Sequence, residues 1–210
     1  MGLAVVLIGC VAGTAVLIWS CLRWRDSIER GAMALDPRSL WKAEYGAYAS
    51  VADLLIGVAV TGWTSARLVI KSADGQAHAT VTYGIGSISI EVGAESYRVR
   101  YGHGQPAELL PDSGGPARAR CLGYVYTFQT SRYELSQGVT VEVRGGWKAT
   151  LSSTHEVHVS GRRAGVLTVI GQLVRRGTVL VIPAALPMAD RAFVMAMEYR
   201  RFIGRSARPS

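Results

Sequence analysis

Apolar residues crowd the opening of the chain and then thin out into alternation. From Gly2 to Leu22 there is no Asp, Glu, His, Lys or Arg. A helix of that length rises about 31 Å, which matches the hydrocarbon layer of a bilayer. Trp19 and Trp24 bracket its far side, where an amphipathic ring favours the headgroup layer. The pattern predicts a transmembrane helix over residues 1–23. A secretory signal peptide would place basic residues ahead of a shorter apolar core, and no Lys or Arg precedes this one. Leu7-Ile8-Gly9-Cys10 is similar to a lipoprotein cleavage box, the other route to a cleaved head. It lacks the same basic lead, and cutting there would discard half of the apolar run. Arg23, Arg25 and Arg30 follow the helix directly. By the positive-inside rule they predict an outside N-terminus and a single-pass protein of the cell membrane, its main domain cytoplasmic.

Residues 24–63 read as a juxtamembrane linker or first strand region. A short helix over Ser27 to Trp41 would break at Asp36-Pro37. Residues 48–63 hold a second apolar stretch, centred on Leu54-Leu55-Ile56-Gly57-Val58-Ala59-Val60, with Asp53 at its edge. It is short for a membrane span, so a buried strand or an interfacial segment is expected, with a second span as the remaining alternative.

From Ser65 the period becomes two. Ser87 to Val92, Ser96 to Tyr101, Val139 to Arg144 and His155 to Ser160 alternate apolar and polar residues, and Tyr124, Tyr126 and Phe128 share one parity. Each run buries one face and wets the other. Asp74-Gly75, Gly93-Ala94 and Gly145-Gly146 supply turn chemistry between them. About eleven strands are predicted between Ser65 and Pro183. The fold class is therefore mainly β, an antiparallel barrel or sandwich over residues 64–204 with a short tail at 205–210. The Gly/Pro-rich stretch from Gly102 to Pro116 is expected to be a surface loop.

The last element departs from alternation. Ala192-Phe193-Val194-Met195-Ala196-Met197 contains no polar residue, within a helical stretch from Ala189 to Ile203. A helix without a wet face is buried on every side, and this one is predicted inside the β structure. Arg200, Arg201 and Arg205 would cluster where it emerges, at the negative end of the helix dipole.

Composition refines this picture only in part. Hydrophobic residues make up 49% and charged residues 18%, with a mean hydropathy of +0.21, which excludes a disordered chain. The net charge is +8, carried by twenty Arg and three Lys. Such a balance suits either ordinary solubility or an anionic surface. Cys10 and Cys21 fall in or beside the apolar head, leaving Cys121 alone in the body. A lone thiol suits a reducing compartment and gives no disulfide framework.

The order of these elements resembles the tubby C-terminal-like superfamily, which includes LURP-one-related proteins and phospholipid scramblases. The residues carrying the resemblance are Gly165-Val166-Leu167-Thr168-Val169-Ile170, Val179 to Pro183, Leu186-Pro187 and Ala192-Phe193. The resemblance covers roughly Ser65 to Ile203 and implies a closed barrel of about a dozen strands around an apolar C-terminal helix. The membrane segment comes first in this chain, unlike the usual arrangement of that superfamily. No residue set matches the phosphoinositide-binding positions of tubby proteins, so none is carried over.

The motifs suggest little chemistry. Pro111-Asp112-Ser113-Gly114-Gly115-Pro116 resembles the segment around the nucleophile of trypsin-like proteases. Pro111, however, occupies the position whose N–H would build the oxyanion hole, and proline has none. His155 and His158 are three apart on a predicted strand and face opposite sides, so one ion cannot take both. Gly84-Ile85-Gly86 and Gly102-His103-Gly104 open no helix after a strand and give no nucleotide site. No catalytic residue, metal ligand or cofactor is expected. Arg162, Arg163, Arg175 and Arg176 sit beside turn glycines and are the candidate contacts for anionic lipid headgroups. Expected partners are the bilayer through residues 2–22, anionic headgroups and an unidentified protein; nucleic acid is not expected, because the tyrosines alternate as core positions. The function expected is a non-catalytic binding or scaffold module at the cytoplasmic membrane face. The alternative is an enzyme or lipid-handling protein whose site is built from loops.

Overall fold

A computed structural model describes residues 53–61, 66–102, 105–122, 130–145, 152–171 and 176–206. Among them are twelve strands and one long helix. The strands are β1 (Leu54–Thr61), β2 (Ala66–Ser72), β3 (Ala77–Gly84), β4 (Ser87–Val92), β5 (Glu95–Arg100) and β6 (Ala107–Pro111). They continue with β7 (Ala119–Cys121), β8 (Thr130–Glu134), β9 (Thr140–Arg144), β10 (Ser152–Val159), β11 (Arg162–Gly171) and β12 (Arg176–Val181). The helix, α1, spans Met188–Ser206.

Each strand pairs antiparallel with its sequence neighbour, and β1 closes the cylinder against β12, from Leu54↔Val181 to Val58↔Gly177. Closure leaves no free sheet edge. Eleven strands follow Ser65, the number expected, and the twelfth is the apolar stretch centred on Leu54–Val60. That stretch is a strand because closing the barrel buries both of its faces, which a continuous apolar run suits. Alternation behaves as predicted elsewhere: Ile88 and Ile90 in β4, Tyr97 and Val99 in β5, and Val141 and Val143 in β9 all point into the core.

The helix fills the cylinder. Phe193, Val194, Met195 and Ala196 are each 0% exposed, so the apolar segment is buried on every side. Full burial of a Phe or Met side chain contributes about 1.5–3 kcal/mol. Gly57 makes room for it on β1: an added Cβ would lie 2.9 Å from Met195 Sδ, Leu68 Cδ1 and Thr178 Cγ2. The Phe193 ring meets Tyr133 edge-on at 6.0 Å.

One expectation is corrected. The stretch from Gly102 to Pro116 is not a loop throughout, because β6 lies within it and buries Ala107 and Leu109. Its alternation is brief and flanked by prolines, and Pro111 stands last in the strand, where a missing N–H costs least. Tyr124, Tyr126, Phe128 and Gly146 lie outside the described residues, as does the predicted membrane helix over 1–23 with Arg23, Arg25 and Arg30. Among the described residues no helix is long and apolar enough to cross a membrane.

An up-and-down barrel gathers alternate connections at opposite ends. The helix-start end carries the β2–β3, β4–β5, β6–β7, β8–β9 and β10–β11 connections and the Pro183–Pro187 lead into α1. Asp190 is fixed there by Arg118 and Ser136. At the exit end, Arg200 stacks over Tyr101, 3.6 Å from the ring centre, and Arg201 donates to Ser131 Oγ at 2.6 Å. Arg200 and Arg201 therefore lie at the helix exit, as predicted.

Candidate functional site

Of the four arginines expected to contact headgroups, the topology separates the three that lie among the described residues. Arg162 and Arg163 open β11 at the helix-start end, whereas Arg176 opens β12 opposite Gly171, at the exit end. Arg175 lies outside the described residues. Arg162 and Arg163 are exposed, and Arg163 pairs with Glu156 at 3.2 Å. One long strand thus stands between Arg162-Arg163 and Arg176, and these three do not form a single patch.

A different basic surface takes shape at the exit end, from strands far apart in sequence. Arg100 closes β5, Arg120 stands in β7, Arg132 in β8, and Arg144 closes β9. All four face solvent, with side chains 48% to 69% exposed. They are arranged as two triads around single carboxylates. Glu108 of β6 pairs with Arg100 and, at 3.1 Å, with Arg120. Glu142 of β9 pairs with Arg132 at 2.8 Å and accepts from Arg144 Nε at 2.9 Å.

The register explains these contacts. Arg100↔Glu108, Glu108↔Arg120 and Arg132↔Glu142 are directly opposed cross-strand partners, the geometry in which side chains on one face meet. Arg100 holds the Glu108 carboxyl below the ordinary carboxylate range, and Arg144 and Arg132 do the same to Glu142. Both carboxylates are therefore charged at neutral pH, and the register also sets Glu134 opposite Arg120 and Glu156 opposite Arg144, so the four arginines alternate with glutamates. A guanidinium offers five N–H donors, more than half a carboxylate can accept. The belt keeps outward-facing donors for further anions.

Two apolar side chains stand at the same end. Ile85, at the tip of the β3–β4 hairpin, is 93% exposed, and Leu122, just after β7, is 38% exposed. They are the exposed large hydrophobics among the described residues. Arg67, at the second position of β2, is exposed there as well. An apolar tip at the same end as an arginine-rich belt has the composition of a surface that meets headgroups and acyl chains together.

The interior holds polar groups that sequence reading passed over. The Tyr133 hydroxyl donates to Glu198 Oε1 at 2.6 Å, and Arg201 Nη1 lies 3.7 Å from Glu198 Oε2. Ser131, two residues before Tyr133 and on the same strand face, takes the Arg201 donor. Tyr83 donates to the Ala196 carbonyl at 3.0 Å. These bonds tie α1 to β3 and β8 and fix its register; a helix held only by apolar contacts could slide. The visible signal was Glu198 and Arg201 just after the apolar run Ala192–Met197, three residues apart and so on one face.

The β2–β3 hairpin brings Ser72, Asp74 and His78 together, with His78 Nε2 2.8 Å from Ser72 Oγ. The Ser72 hydroxyl donates to Asp74 Oδ1, which also accepts Gln76 N–H at 3.0 Å. A nucleophilic triad needs the acid on the far nitrogen of the imidazole. Here the acid takes the serine proton itself, so the cluster staples a turn. Ser113 is on an exposed turn, where Asp112 pairs with Arg98 at 3.1 Å and accepts from Ser96 at 2.7 Å. His155 is buried and His158 is half-buried beside Glu156 at 3.1 Å, so the two imidazoles diverge. Among the described residues no group of three His, Cys, Asp or Glu could hold a metal ion.

No protein-family model matches the chain, and neither a curated protein nor a solved structure does.

Proposed function

We propose that this chain is a single-pass membrane-anchored β-barrel that acts as a non-catalytic binding or scaffold module at the cytoplasmic membrane face. Its exit end rests on anionic headgroups. The observation that carries this reading is the belt of two exposed Arg–Glu–Arg triads at the same end of the barrel as exposed Leu122 and Ile85. A basic residue near an anionic leaflet contributes about 1 kcal/mol, so the belt alone gives weak, reversible docking. The apolar head at residues 2–22 supplies the permanent attachment. Residues 24–53 can extend to about 100 Å, long enough for the barrel to turn its exit end to the bilayer. The tubby-like reading draws support from the closed twelve-strand barrel and its enclosed C-terminal helix. An unidentified protein partner remains part of the proposal.

The test uses the full chain in lipid nanodiscs. Ile85→Cys carries an environment-sensitive fluorophore, Cys10 and Cys21 are replaced by Ser, and Cys121 stays shielded in the core. The label should shift to shorter wavelength with phosphatidylserine present, and less in phosphatidylcholine alone or in high salt. Arg120→Glu with Arg132→Glu should abolish the difference, and Arg162→Glu with Arg163→Glu should leave it intact. The opposite ranking of the two double variants would place docking at the wrong end and defeat the proposal.

A further inference from the structure

At the other end of the barrel, the first turn of α1 contains a buried guanidinium with donors left unmet. Arg191 is 7% exposed, and its Nε and Nη1 are buried without a hydrogen-bond acceptor among the described residues. A buried guanidinium with unmet donors is costly for a fold to carry. Its neighbour Asp190 cannot serve, because Arg118 Nε holds Oδ1 at 3.2 Å and the Ser136 backbone N–H holds Oδ2 at 3.1 Å. Asp53, at the start of β1, lies close enough to act on Arg191 electrostatically. Its Oδ1 nevertheless accepts the Ala184 N–H at 2.6 Å, and its backbone carbonyl accepts from Ile182. Ala184 and Ala185, in the lead into the helix, are exposed, so this corner opens to solvent.

We infer that Arg191, at the positive end of α1, anchors a binding site for a small monocarboxylate. Three features choose that class. The guanidinium fork matches a planar carboxylate. The helix start adds about half a positive charge. Asp53 already offsets part of that charge, which disfavours a dianion such as phosphate. The site lies at the helix-start end and is independent of docking by the exit end.

The test is thermal unfolding of the full chain in nonionic detergent, with sodium acetate or butyrate titrated against chloride of equal ionic strength. A tenfold excess over Kd should raise the midpoint by about 3–6 °C, and the rise should saturate. Acetamide, which is neutral, and phosphate should each give a smaller rise. Arg191→Met should lose the carboxylate response while unfolding in chloride no lower than the wild type, because a buried charge with unmet donors has been removed. Arg191→Lys keeps the charge without the fork and should respond less than the wild type. Three results overturn the inference: no carboxylate-specific rise in the wild type, a full rise in Arg191→Met, or phosphate outperforming acetate. A large loss of stability in Arg191→Met in chloride also overturns it, since the guanidinium would then already be satisfied within the fold.

Discussion

Tyr133 of β8 and Glu198 of α1 share a 2.6 Å hydrogen bond inside the barrel, with Tyr133 1% and Glu198 1% exposed. The contact joins a wall strand to the central helix across 65 residues of sequence. Hydrogen bonds to charged groups contribute about 1.5–3 kcal/mol, and an abandoned buried acceptor costs a similar amount. Tyr133→Phe should therefore lower stability by about 2 kcal/mol, read as a lower urea midpoint with an unchanged slope. A double-mutant cycle with Glu198→Gln should show coupling of at least about 1 kcal/mol. Strict additivity would mean that the hydroxyl and the carboxylate do not depend on one another.

Backbone closeness makes a second, sharper prediction. A Cβ added at Gly165 of β11 would overlap the Val181 carbonyl of β12, which cannot rotate away. At Gly57 the obstacles are side-chain atoms of Leu68, Met195 and Thr178, which can shift. Overpacking of the second kind costs about 1–3 kcal/mol. Gly165→Ala should exceed that cost and Gly57→Ala should fall within it. Thermal midpoints of the two variants, compared side by side, check the ranking.

What could be read from the chain followed from period and polarity. The alternation at Ile88/Ile90 and Val141/Val143 set the inward faces, and the unbroken apolar run Ala192–Met197 placed a helix where nothing is wet. The closing strand was harder, because a strand buried on both faces lacks alternation and Leu54–Val60 looks like any short greasy segment. The basic belt could not be read at all: Arg100, Arg120, Arg132 and Arg144 are neighbours only through the register of β5 to β9. Arg162-Arg163 and Arg176 stand apart for a reason already present in the sequence. They bracket a single strand, and a strand's ends lie at opposite ends of a barrel.

Acid should weaken the belt in a definite direction. Glu108 and Glu142 have folded pKa values below the ordinary 4.5, with arginine hydrogen bonds the largest cause for each. A depressed folded pKa gives stability that is complete above the unfolded value and is lost as pH falls through the folded one. Stability should hold from neutrality to about pH 5 and then decline. Because the arginines are about half exposed, the contribution is small and screened by salt. Glu108→Gln with Glu142→Gln should flatten the decline in urea midpoint between neutral and acid pH, and added salt should flatten it in the parent. An unchanged acid slope in the double variant would show that the triads are not linked to folding.

Alkali tests the interior in the opposite sense. Tyr83 and Tyr133 have pKa values raised well above 10, burial being the leading cause for both, with Tyr199 adding to the first and Glu198 to the second. In the unfolded chain both would ionise near 10. A raised folded pKa gives stability that is intact below the unfolded value and is lost as pH climbs above it, because only the unfolded state releases its protons there. The native barrel should therefore keep two phenols protonated at about pH 11, where unfolded tyrosines are mostly ionised. Tyrosinate absorbance after a pH jump should show a fast phase from accessible rings and a slow phase that tracks unfolding measured by circular dichroism. Tyr83→Phe and Tyr133→Phe should each remove one tyrosine's worth of the slow amplitude. If both rings titrate in the fast phase, water reaches the barrel interior, and the account of α1 as a helix sealed inside the wall is wrong.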